Sequence, residues 1–145
     1  MAVTIRGSGQ IVQQVISAVS TTSASTTSTS FVTSGISATI TPSNSANKIL
    51  ALVSCAADTG NTNTQANITL YRGGTNLGNA SNGFAGVFNG GNRSIGDTSF
   101  MYLDSPATTS ATTYTIYINT GSGNNITLGL QSVPTSIILL EIAYA

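Results

Sequence analysis

Four carboxylates (Asp58, Asp97, Asp104 and Glu141), four cations (Arg6, Lys48, Arg72 and Arg93) and one thiol (Cys55) are the charged and thiol side chains of a 145-residue chain that has no His. Acid–base chemistry near neutral pH is done most often by His, and metal sites use imidazole, thiolate or clustered carboxylates. A triad built on His is therefore excluded. Two carboxylates could still cleave a glycosidic bond if they faced each other across about 5 to 10 Å. Asp97 and Asp104 are the closest pair in sequence, but Gly96-Asp97 and Asp104-Ser105-Pro106 read as turn chemistry. Asp58, followed by Thr59-Gly60-Asn61, reads as a loop residue bonding its own backbone; a calcium site from Asp58 and nearby Asn carbonyls stays open, without a calcium-loop pattern to support it. Cys55 lies in an apolar run, where a small buried hydrophobe is the expected role. No catalytic residue, cofactor site or metal ligand emerges, and a scaffold or binding surface is expected in place of an enzyme.

The remaining residues able to recognise a ligand are aromatic. Phe84 and Phe88 stand among Gly and Asn in the segment 83–97. They either anchor a long loop or present a stacking surface to a glycan or protein receptor. The Gly-rich stretches Tyr71-Arg72-Gly73-Gly74 and 86–96 lack the Lys and the strand–turn–helix frame of a phosphate loop, and read as turns. Four Asn-X-Ser/Thr triplets are expected by chance in a chain with 13 Asn and 43 Ser plus Thr.

Formal net charge is zero and the cations are dispersed, so nucleic-acid binding by counterion release is not expected. Residues 1–6 lack the apolar run of a secretion signal, and the apolar stretches 49–53 and 137–140 are too short for a transmembrane helix, so no membrane partner is expected. Assembly in a reducing cytoplasm suits the single cysteine.

The elements that must position these residues are strands. The even positions of Tyr114-Thr115-Ile116-Tyr117-Ile118 are apolar, and the parity continues through Ile126, Leu128 and Leu130 after Gly121-Ser122-Gly123-Asn124, which predicts a hairpin. Residues 67–72 alternate before a Gly73-Gly74 reversal, and 99–103 alternate before a stop at Pro106. Eight to ten strands and no helix beyond a turn or two are expected, in one all-β domain.

Two runs break the alternation. Ile49-Leu50-Ala51-Leu52-Val53 and Ile137-Ile138-Leu139-Leu140 are apolar on both faces, so something covers the second face. An identical neighbour is the economical cover; central strands under long loops are the alternative. With Ile49, Val53 and Cys55 facing the core, Leu50 and Leu52 face the neighbour. The closing strand is expected to present Ile137 and Leu139, beside Glu141, at the same subunit interface, the inverse assignment staying open.

Residues 1–20 form the expected N-terminal arm and 21–145 the sandwich. The segment 11–19 fits a short amphipathic helix or a strand equally well. The arm's apolar residues Val3, Ile5, Ile11, Val12, Val15 and Ile16 precede a Ser/Thr tract and are expected to anchor it on a partner, outside the sandwich core.

The stretch Leu103-Asp104-Ser105-Pro106-Ala107-Thr108-Thr109-Ser110-Ala111-Thr112-Thr113-Tyr114 resembles a segment recurrent in virion proteins of tailed bacteriophages. Gly9-Gln10-Ile11-Val12-Gln13, the segment 26–43, Lys48-Ile49-Leu50, Leu70-Tyr71-Arg72-Gly73-Gly74-Thr75 and residues 136–141 are similar to other parts of those β-sandwich modules. The resemblance spans nearly the whole chain. It implies a trimeric, jelly-roll-like antiparallel β-sandwich displayed on a phage particle, and it brings no catalytic residues. Starting at Met1, with no long stalk or heptad region, the chain suits a homotrimeric decoration (cement) protein bound to the major capsid protein on the virion surface. A fibre tip that binds a host receptor or glycan is the alternative.

Overall fold

The computed structural model describes residues 12–60 and 63–143, residues 12–15 by backbone alone. Eleven strands run in the order β1 (Val12–Ser20), β2 (Ala24–Thr26), β3 (Val32–Ile40), β4 (Lys48–Thr59), β5 (Thr64–Arg72), β6 (Thr75–Asn76), β7 (Ala85–Asn89), β8 (Ser94–Asp104), β9 (Thr112–Thr120), β10 (Ile126–Leu128) and β11 (Thr135–Ile142). The one helical element among the described residues is a 3-10 turn, Leu130–Ser132. The extra strands over the expected number are pieces: β6 has two residues, and β2 and β10 have three each.

Every ladder is antiparallel. One sheet joins β1 to β11, β11 to β4 and β4 to β8, while β10 bridges β4 and β2; the other joins β3, β9 and β5, with β6 and β7 on the far edge of β5. If β1 with β2 and β10 with β11 are each taken as one interrupted strand and β6 is left aside, the first strand pairs the last in one sheet. The second pairs the last but one in the other sheet. This is the nested order of a jelly roll.

The sheets close over one core. Ile49, Ala51 and Val53 of β4 and Ile137 and Leu139 of β11 face Ile68 and Leu70 of β5 and Ile116 and Ile118 of β9, all buried. Cys55 is inside with them. There burial pushes its thiol pKa up to about 12, with help from the Asp97 carboxylate, so it stays an inert thiol at neutral pH.

Three expectations are corrected. Residues 112–128 do not form a hairpin: β9 belongs to one sheet and β10 to the other, so the 121–125 turn crosses the sandwich. Both strands carry inward residues at even positions, and parity alone does not distinguish a hairpin from a corner. Asp97 and Asp104 both lie within β8, and Asp58 within β4, not in turns. Finally, Val12–Ser20 takes the strand of the two readings and is not an arm apart from the core. It pairs with β11 from Val12↔Ile142 to Ser20↔Thr135, and Ile16 and Ala18 pack on the core. Without β1, β11 would present an open backbone edge. Val3, Ile5 and Ile11 lie outside the described residues.

Candidate functional site

The outer face of the larger sheet carries a block of apolar side chains set by the register of three strands. Leu140, Leu50 and Leu103 lie abreast in one row, and Ile138, Leu52 and Met101 in the next. Ser136, Ser54 and Ser99 form the third row and end the block. Met101 is 70 % exposed and Leu103 51 %, and the other four are half-buried. A groove of about 260 Å³ runs through the block between Leu52, Met101 and Ile138, bounded by the three serines. Apolar side chains lined up across neighbouring strands form a continuous patch, which isolated exposed leucines do not.

Leu50 and Leu52 stand on this outer face, as the parity of β4 requires. Ile137 and Leu139 do not: both are fully buried in the core, and Ile138 and Leu140 take the outer positions. The misassignment follows from Glu141, whose charge suggests a solvent-facing position but whose side chain is 1 % exposed. Its Oε1 accepts hydrogen bonds from the Ser43 backbone N–H (2.6 Å), the Ser43 hydroxyl (2.8 Å) and Asn47 Nδ2 (2.7 Å). Burial alone would raise the Glu141 pKa; the Asn47 and Ser43 donors, with the Asn44 backbone, outweigh it and hold the carboxyl below its ordinary value. Met101 and Leu103 were legible within an alternating run and Ile138 and Leu140 within a doubly apolar one, but only the register puts them beside Leu50 and Leu52.

Among the described residues β8 pairs only with β4, so the eleven-residue strand that carries Met101 and Leu103 leaves its other backbone edge open. The block therefore reaches a free edge at which a second chain could add hydrogen bonds.

Three of the four carboxylates, Asp58, Asp104 and Glu141, are held in structural contacts. Asp104, 5 % exposed, receives both its oxygens' contacts from Arg72 Nη1 at 2.8 Å and a hydrogen bond from the Tyr114 hydroxyl at 2.6 Å. The trio ties β8 of one sheet to β5 and β9 of the other. Burial, followed by the bond to Asp104, raises the Tyr114 pKa and keeps the hydroxyl a donor. Asp58 takes a two-pronged contact from Arg93 at 2.9 Å. Asp97 is exposed, lies seven residues from Asp104 on β8 and has the opposite parity. At the rise of a strand the two are about 23 Å apart, too far to share a glycosidic bond. Among the described residues no group of three or more His, Cys, Asp or Glu is placed to hold a metal ion.

Phe84 and Phe88 do not form one surface. Phe84 stacks on Phe100 at 5.0 Å and lies 5.1 Å from Tyr102, closing the sandwich edge between the sheets. Phe88 is 67 % exposed on the outer face of the smaller sheet, opposite Gln65. No protein-family model matches the chain, and no curated protein matches it.

Proposed function

We propose that this chain is a structural protein of a phage particle: a homotrimer that decorates the capsid, bridges neighbouring copies of the major capsid protein and resists expansion of the filled head. The virion assignment rests on the sequence resemblance to tailed-phage β-sandwich modules. Self-association rests on the apolar block on the outer face of the larger sheet. Fully covering a Leu, Ile or Met is worth about 1.5 to 3 kcal/mol. Six side chains that together lack about a third of their cover would contribute roughly 3 to 6 kcal/mol, at the lower end of the cost of association. Pairing along the open edge of β8 supplies the surplus, and the assembly is held together by both.

The segment preceding β1, with Val3, Ile5 and Ile11, is the proposed capsid anchor; Val12, Val15 and Ile16 belong to β1 and serve the sheet. Sedimentation of the purified chain at micromolar concentration tests the assembly, and a stable monomer would overturn it. Leu52→Lys should give a monomer with an unchanged β-rich circular dichroism spectrum, because the charge would be desolvated only in the assembly. Deleting residues 2–11 should leave the trimer intact and abolish binding to purified capsids. Antibody labelling of whole particles separates decoration, with signal over the head, from a fibre tip, with signal at the tail.

A further inference from the structure

We infer that the outer face of the smaller sheet holds a binding site for a neutral oligosaccharide, in a polar hollow unrelated to the apolar block. The hollow has a volume of about 540 Å³, within the range of small-ligand sites. Its floor comes from the outward positions of β5 and β9, where Asn67 lies abreast of Asn119 and Gln65 precedes them at the open end. One wall is the segment Thr29-Ser30-Phe31, the other Ala80-Ser81-Asn82, and Tyr71 closes the far side.

The floor is a relay of amides. Gln65 Nε2 donates to Asn67 Oδ1 at 2.8 Å, and Asn67 Nδ2 donates to Asn119 Oδ1 at 2.8 Å. Asn119 Nδ2 then donates to the backbone carbonyls of Thr29 (3.1 Å) and Ser81 (3.3 Å), one in each wall. Asn67 and Asn119 are 2 % and 4 % exposed. Each amide has two donor hydrogens and an oxygen with two lone pairs. Asn119 therefore spends both hydrogens on holding the walls apart. Asn67 and Gln65 each keep one N–H, and no donor among the described residues reaches Gln65 Oε1.

The spare groups are donors and acceptors side by side, with no formal charge. A hydroxyl is both donor and acceptor, so adjacent sugar hydroxyls match this floor, whereas an anion would leave the amide oxygens opposed to it. Among the described residues no Asp, Glu, Lys or Arg lines the hollow. The aromatic components suit the other side of a sugar, its C–H face. Tyr71 is locked by stacking on Tyr117 at 3.9 Å and 20°, and Phe31 meets Tyr71 edge-on at 6.5 Å and 62°. Rings held in place in this way cost little entropy on binding.

The test is an array of neutral, sialylated and sulfated glycans probed with the full chain, followed by titration of the strongest neutral oligosaccharide in solution. Binding to neutral members is expected, weakened at least tenfold in Gln65→Ala and in Phe31→Ala. Asn82→Ala, on the exposed rim, guards against a folding defect in either variant and should also weaken binding. The Leu52→Lys variant should bind the glycan like the parent chain, so loss of assembly and loss of this site can be told apart. No binding to any neutral glycan, binding confined to charged glycans, or affinity unchanged in all three hollow variants would overturn the site.

Discussion

Glu141 shows how a single charge is made compatible with a β-sandwich interior. Three donors converge on Oε1, and two of them come from Ser43, 98 positions earlier in the chain. The carboxylate thus fastens the 41–47 loop to β11. A carboxyl whose folded pKa is depressed contributes stability above its unfolded pKa, and that contribution fades as pH falls through the folded value. The urea midpoint should therefore be insensitive to Glu141 from neutrality down to about pH 5 and decline below the ordinary value of 4.5. Glu141→Gln keeps the shape and can set its amide oxygen where Oε1 accepts from Ser43 and Asn47, but it removes the charge that strengthens those bonds. It should cost about 1 to 3 kcal/mol at pH 7 and flatten the acid limb of the curve; unfolding titrations from pH 3 to 7 read both. An unchanged midpoint at pH 7 would show that the ionised carboxylate contributes nothing to this anchor.

At the level of elements, the loop between β6 and β7 is placed by one glycine. Gly83 has φ +66, and a Cβ built on it would lie 2.3 Å from the Ile68 carbonyl oxygen, a backbone atom that cannot step aside. Its N–H and C=O both bond Asn79, and the next residue, Phe84, donates to that same Ile68 oxygen. The close approach delivers Phe84 into its stack with Phe100 and sets Ala80-Ser81-Asn82 over the amide floor. Gly73, at φ +55 in the β5–β6 reversal, has nothing within 4 Å of its virtual Cβ. Gly73→Ala should accordingly cost only the left-handed backbone penalty, about 1 to 2 kcal/mol. Gly83→Ala adds a clash in a packed site and should cost about 2 to 5 kcal/mol. Denaturant unfolding of the two variants side by side checks the ordering, and equal losses would refute the role given to the contact with Ile68.

For the whole molecule, the proposed functions divide between the two outer faces: apolar on the larger sheet, amide and aromatic on the smaller. Met101, being 70 % exposed in the single chain, is the cleanest probe of the first face, since a charge there disturbs no core contact. Met101→Lys should leave the stability of the dilute chain within about 0.5 kcal/mol of the parent. It should also remove the rise of melting temperature with protein concentration that a self-associating parent must show. A parent whose melting temperature does not depend on concentration would argue against self-association through this face. The amino-acid sequence by itself determined the all-β class, since alternation of period two between Gly- and Asn-rich turns suits no other element, and it determined the parity of β4, with Ile49, Val53 and Cys55 on one face and Leu50 and Leu52 on the other. Period two separates the faces of a strand but does not say which is inside, nor which strand lies alongside. Those choices belong to contacts distant in the chain. Pairing with β4 aligns Ile137 with Val53 and Leu139 with Ala51, and so turns them inward. Donors at Ser43 and Asn47 allow Glu141 to follow them, Arg93 finds Asp58 across 35 positions, and residues 121–125 pass from one sheet to the other. The amide floor was equally hidden, because Asn119 joins Gln65 and Asn67 only when β5 and β9 pair, and the hollow exists only where two loops are held over them.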